Sequence, residues 1–385
     1  MSLNRRDFLR TGATGLVGAL AFRGHALPLE KTPELTLYVG TYTTGKSEGI
    51  YTYQMNLGTG GLKRFAATTS INPSFLTIHK SKRYLYAVNE VTEFAGRSSG
   101  AVSAYSIDSA TGKLEFLNQQ PSMGADPCHV IVDQGGRFAL VANYTGGSVS
   151  VFPLRRDGRL EPASQVIKHS GAGVREQQQG PHPHCVALDR SNRHAFVSDL
   201  GIDKLMSYRF RAETGRLEPD EEPWIQLGPG AGPRHFTFHP KERYAYVINE
   251  LDSTITAFRY HKASGNLRLI HTQSTLPKDF LGRNDCADIH VSPSGKFLYG
   301  SNRGHDSIVV FAINEITGSL THLEHVSTEG KTPRNFVIDP TGKFLLVANQ
   351  KSDSIVSFHI DAITGRLKAT GHVAEVPAPV CLKFV

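Results

Sequence analysis

Four ionisable residues, His184, Arg234, Glu250 and Arg303, occupy matching places in repeated segments of this 385-residue chain. Arg234 and Glu250 lie sixteen residues apart, towards the two ends of GPRHFTFHPKERYAYVINE (residues 232–250). That stretch alternates apolar and polar residues on either side of a short polar turn, a pattern that predicts two antiparallel strands in a hairpin. The start of the first strand then lies beside the end of the second, so Arg234 and Glu250 meet at one rim of a sheet. As a lone pair they would be a rim salt bridge worth little, and His184 alone would be an ordinary turn histidine. Three or four such groups converging on a concave mouth make a candidate site for chemistry by ionisable side chains. Neither a nucleophile elbow, nor a Walker loop, nor a dinucleotide fingerprint is expected. His182, His184, Asp288 and His290 have no recognised ligand spacing, and nearby arginines would repel a cation. No metal and no cofactor are therefore expected.

The elements that position these groups are copies of one unit. Segments resembling PRHFTFHPKERYAYVINE begin at Pro73, Pro127, Pro183, Pro233, Cys286 and Pro333, spaced 54, 56, 50, 53 and 47 residues apart. Each is followed by a polar turn, a third alternating run, a TG-x-L turn and a fourth run. Four strands in about fifty residues is the repeat of a propeller blade. A seventh unit is split: residues 35–53 supply its second and third strands, and PVCLKFV at the C-terminus supplies its first. The expected fold is an all-β, seven-bladed propeller of four-stranded antiparallel blades, its ring closed by a blade shared between the chain ends.

The residue after each opening proline, the one following it, and the pair ending each second strand should crowd one mouth of the central channel. An Asn or Asp recurs at the end of the second strand in all six units, and this reads as a turn cap. His184, Arg234, Glu250 and Arg303 instead differ from blade to blade, and come from the contiguous blades four, five, five and six. Arg334, His129, Asn302 and His235 fall in the same columns and are candidate substrate-binding residues. Connections at 93–100, 168–181 and 275–285 are longer, and the second leads directly to His184. Loops on one rim are where propellers carry binding determinants.

The N-terminus reads differently. Residues 4–10, NRRDFLR, carry a twin arginine, followed by a short, weakly apolar stretch and an A-x-A-like site at residues 24–26. This resembles a twin-arginine export signal and is too short to cross a bilayer. Residues 1–26 are expected to be removed and 27–385 to form the propeller. The mature chain would then be periplasmic, the alternative being cytoplasmic. The net charge of +7 includes +3 from that segment; the remaining +4, with no basic run, points away from nucleic acid and membrane partners. The four cysteines lie at or near the starts of first strands and read as small buried apolar residues. A monomer or weak dimer is expected.

GPRHFTFHP, NDCADIHVSPSGKFLYGSNRGHDSI and TPRNFVIDPTGKFLLVANQKSDSI carry a resemblance covering essentially all of 27–385. They resemble the seven-bladed propeller lactonases, which include bacterial 6-phosphogluconolactonases and a fungal carboxy-muconate cyclase. The resemblance implies a carboxylic ester hydrolase opening a sugar lactone without metal or cofactor, with His184, Arg234, Glu250 and Arg303 as the site. It implies His184 or Glu250 as general base, with Arg234 and Arg303 holding the anionic group and the oxyanion. Export would favour an unphosphorylated lactone. A non-enzymatic binding propeller and a lactonising cyclase are the alternatives.

Overall fold

The computed structural model describes Pro33–Val385; the expected export segment lies outside the described residues. Among the described residues, 28 strands form seven four-stranded antiparallel sheets. Blade one is built from both chain ends: Pro379–Phe384 pairs with Glu34–Thr41, from Leu37 opposite Phe384 to Thr41 opposite Pro379. Leu382 also donates its amide to Asn335 Oδ1 of blade seven at 2.7 Å. The ring is thus closed on both sides of the closing strand.

Position within a blade explains composition. Second strands such as Tyr84–Asn89, Phe138–Asn143 and Tyr244–Asn249 are buried at every residue, because neighbouring blades cover both faces. They are accordingly continuous apolar runs, and not the apolar–polar alternation expected of the second half of each unit. Outer strands such as Leu62–Thr69 have no such cover and hold no buried residue. Between blades four and five, Phe196 stacks on Phe236 with centroids 5.4 Å apart, a geometry worth about 1 kcal/mol beyond area burial.

The TG-x-L turn has a physical reason for its glycine. Gly318 has φ +77°, and a Cβ there would sit 2.3 Å from the ring of Tyr244 in the preceding blade. The next inward tyrosine, Tyr246, donates its hydroxyl to the Gly318 carbonyl at 3.0 Å. Tyr38, Tyr86 and Tyr299 repeat this bond to Gly112, Gly158 and Gly365. Only glycine tolerates both the backbone and the close approach. All four cysteines are free and buried. No helix among the described residues is long and apolar enough to cross a membrane.

Candidate active site

The first strands line the channel, and their opening residues are not regular strand. In blade five Pro233 pairs with Asn249 and His235 with Ile248, leaving Arg234 as a bulge. The same slip leaves Cys128, His184 and Arg334 unpaired in blades three, four and seven. A bulge adds one residue and re-aims a side chain. Two consecutive residues, which a flat strand would send to opposite faces, both reach the channel here. Ser74, Glu90, Cys128, His184, Arg234, His235 and Arg334 line one small cavity at the mouth.

Arg234, 3% exposed, donates Nε to Glu250 Oε2 at 2.7 Å and a terminal nitrogen to the Ala287 carbonyl at 2.7 Å. Arg303 reaches the same Glu250 oxygen at 2.8 Å and donates to the carbonyls of Asp285 and Cys286. One carboxylate thus holds two guanidiniums, each also tied to the opening of blade six. Burial pulls Arg234 down to about 10, reinforced by Arg303 and Arg334 against the opposing pull of Glu250. Burial would raise the Glu250 carboxyl, but Arg303, Arg234 and Arg334 outweigh it and hold it below the ordinary range. It stays ionised, and as a base it is weakened.

His184 is set by the loop before it. Gln178 is fully buried and donates to Leu200 O and Asp203 Oδ1, while Asp199 accepts from His169 and the His182 amide. His182 stacks on Tyr144 at 4.3 Å, and Tyr144 in turn meets the edge of His184. His184 is 5% exposed, and among the described residues its buried Nδ1 has no hydrogen-bond partner. Burial, then the charges of Arg234, His235 and Arg334, hold its pKa well below the usual value. The imidazole is therefore neutral at pH 7.

Across the mouth stands a second charged group. Arg334 donates to the Tyr42 hydroxyl at 2.9 Å and lies over its ring. Tyr42 donates to Glu90 Oε1 at 2.8 Å, and Ser74 donates to Glu90 Oε2. Tyr42 lies outside the repeat columns, and Ser74, Glu90 and Tyr144 stand in them without being among the named candidates. A signal for two of them was present: Ser74 and Glu90 keep the same sixteen-residue offset as Arg234 and Glu250.

Tyr42 also corrects a sequence expectation. Residues 40–49, GTYTTGKSEG, do carry the letter patterns of a Walker loop and of a nucleophile elbow. Both motifs require a strand-to-helix turn, whereas this segment joins two antiparallel strands. The Ser47 hydroxyl is bonded to Thr41. The match is one of letters only.

The remaining candidates lie deeper. His235 reaches the mouth cavity and, with His129, a second cavity of about 320 Å³ farther along the channel. His235 Nδ1 donates to Asp288 at 2.7 Å, and Asp288 also accepts from His290, Asn335 and two amides. His129 contacts the Cys185 sulfur at 3.6 Å. Asn302 is fully buried; its amide donates to Thr275 O and Ser307, and its oxygen accepts from Thr275 and Asn284. The recurring Asn, read as a turn cap, is in Asn302 a latch to the end of the preceding blade, and Asn143 and Asn349 repeat it through Ser122 O and Thr328 O, whereas Asn249 donates to Thr254 and Thr256 of its own blade. Replacing Asn302 with alanine should lower unfolding stability by about 1–3 kcal/mol and leave KM within twofold, measured by denaturant titration and steady-state kinetics.

The channel histidines also predict acid sensitivity. Burial, then Arg234, holds His235 down to about 4, and His129 and His184 are likewise depressed. The unfolded chain takes up these protons near pH 6.5, before the folded one does, so stability falls as pH drops from about 6.5 towards 4. His235 alone should cost about 3 kcal/mol across that window. Unfolding midpoints at pH 7 and pH 4.5 check this, and an equal pair of midpoints refutes it.

Comparison with known proteins agrees with this architecture. A family model described as lactonase, 7-bladed beta-propeller, matches residues 36–384. A 6-phosphogluconolactonase of Bacillus subtilis is 41% identical over 90% of this chain and 97% of its own length. One from Formosa agariphila is 37% identical over 79% of this chain and 86% of its own. The solved structure of a periplasmic gluconolactonase from Pseudomonas aeruginosa, 36% identical, superposes with a TM-score of 0.87, covering 92% of this chain and 99% of that one. Seven blades closed by the joined termini, and a match running nearly from the first described strand to the last, lead to one conclusion: the chain belongs to the seven-bladed β-propeller lactonase family.

Proposed function

We propose that this chain hydrolyses a sugar lactone at the channel mouth, with His184 as general base. The observation that carries this reading is His184 itself, a neutral imidazole in a cavity shared with two guanidiniums, whose buried Nδ1 has no hydrogen-bond partner among the described residues. Glu250 is the weaker candidate, because two arginines occupy it and hold its proton affinity down. His184 takes a proton from water as the water oxygen bonds to the lactone carbonyl carbon. The carbonyl electrons move onto oxygen, and Arg234 and Arg334 stabilise that oxyanion. When the tetrahedral centre collapses, the bond to the ring oxygen breaks, and protonated His184 returns its proton to that oxygen. Arg303 acts through Glu250 as a positioning residue. The oxyanion is stabilised by guanidiniums, with no metal in the proposed step.

Residues 1–26 and the periplasmic P. aeruginosa gluconolactonase support work in the periplasm after twin-arginine export and removal of that segment. The test of the activity is proton release at controlled pH from glucono-δ-lactone and its 6-phosphate, corrected for spontaneous hydrolysis. A rate above background with either substrate is the expected result. A folded protein giving none would turn the assignment towards a binding propeller or a cyclase.

A further inference from the structure

We infer that Glu90, with Ser74 and Tyr42, is the specificity wall of this site: it selects lactones bearing hydroxyl groups and turns their polyol side towards blade two. This rests on the lactonase reading above and says which lactones that site accepts. Glu90 and Ser74 line the same mouth cavity as His184, Arg234 and Arg334. A carboxylate accepts about four hydrogen bonds. Among the described residues Glu90 accepts two through its side chain, from Tyr42 and Ser74, one on each oxygen. The remaining lone pairs belong to a partly buried anion and call for donors.

A lactone's carbonyl and ring oxygens are acceptors only. The donors a substrate can bring to Glu90 are therefore its hydroxyl groups. Two guanidiniums have the complementary character: Arg234 of blade five, and Arg334, which shares the Tyr42 hydroxyl with Glu90, are pure donors suited to the carbonyl oxygen and the developing oxyanion. Glu90 on blade two as acceptor and Arg234 on blade five as donor together fix which way round the ring enters. A phosphate, acceptor-only and dianionic, would be repelled by Glu90 and must lie away from it. An alkyl lactone would leave the carboxylate desolvated and unpartnered, and sites of this kind reject such analogues by large factors.

The experiment compares kcat/KM for glucono-δ-lactone and δ-valerolactone in the wild type, Glu90→Gln, Glu90→Leu and Ser74→Ala, with thermal midpoints confirming that each variant is folded. The wild type is expected to prefer gluconolactone by at least about 100-fold. That preference should fall about tenfold in Glu90→Gln, which keeps one acceptor, and about 100-fold in Glu90→Leu. Ser74→Ala should fall between wild type and Glu90→Leu. A merely structural role for Glu90 would slow both lactones alike and leave the ratio unchanged, which overturns the inference. So does a wild type that treats the two lactones within tenfold of each other. Loss of the underlying lactonase reading looks different: the wild type then turns over neither lactone.

Discussion

Arg234→Lys should lower kcat on the preferred lactone by about 100- to 1,000-fold, the range for removing one oxyanion donor. The substitution keeps the positive charge and the bulge, so it isolates the shape of the guanidinium. Arg234 spends Nε on Glu250 and one terminal nitrogen on Ala287 O, two acceptors contributed by adjoining blades. Its other terminal nitrogen is the donor left for substrate. An ammonium on a flexible stem is a single point and cannot satisfy both acceptors while presenting a third donor in a fixed direction. The loss should appear in kcat more than in KM, because the oxyanion exists only in the transition state. Stability should fall by about 1–3 kcal/mol, since a buried carbonyl or carboxylate oxygen loses its donor. Steady-state kinetics alongside denaturant titration separate the two effects. A variant that retains kcat within threefold would remove Arg234 from the chemistry and return it to the role of a buried salt bridge.

The ring and its closure were legible because period-two alternation, the TG-x-L turns and two half-blades at the chain ends are local signals that repeat. The meeting of Arg234 with Glu250 was legible from hairpin register alone, and Arg303 from the equivalent place in the next blade. The bulges were not: the alternation of PRHFTF reads as regular strand, and nothing in it marks Arg234 as the unpaired residue. Because of that slip, Arg234 and His235 both face the channel. Tyr42 was hidden for another reason. It lies in a connecting loop outside the repeat columns, and its role comes from blades two and seven meeting blade one across the mouth. Asn302 shows the limit from the other side. Its column was read as a turn cap, yet its bond runs to a backbone carbonyl at the end of the preceding blade, which register within one blade does not reveal.

His184→Gln should reduce kcat by about 100- to 10,000-fold, the span of general-base catalysis, while KM changes little. Glutamine keeps the approximate reach and a polar tip, so the cavity stays formed, but it has no titratable lone pair. The decisive readout is pH. A base must be unprotonated, so the wild-type rate should fall on the acid side as pH drops through the pKa of His184. That pKa is depressed by burial and by Arg234, so the fall should begin well below pH 6.5 and not at the ordinary histidine value. In His184→Gln the small residual rate should lose that acid limb. If Glu250 were the base, the limb would lie below the ordinary carboxyl value, because three arginines hold Glu250 down, and it would survive in His184→Gln. The profile must be taken over a short exposure, because the same buried histidines that keep the base neutral also make the propeller less stable in acid. One physical cause, the exclusion of water from a channel crowded with guanidiniums, thus sets both the working pH of the proposed base and the acid limit of the fold.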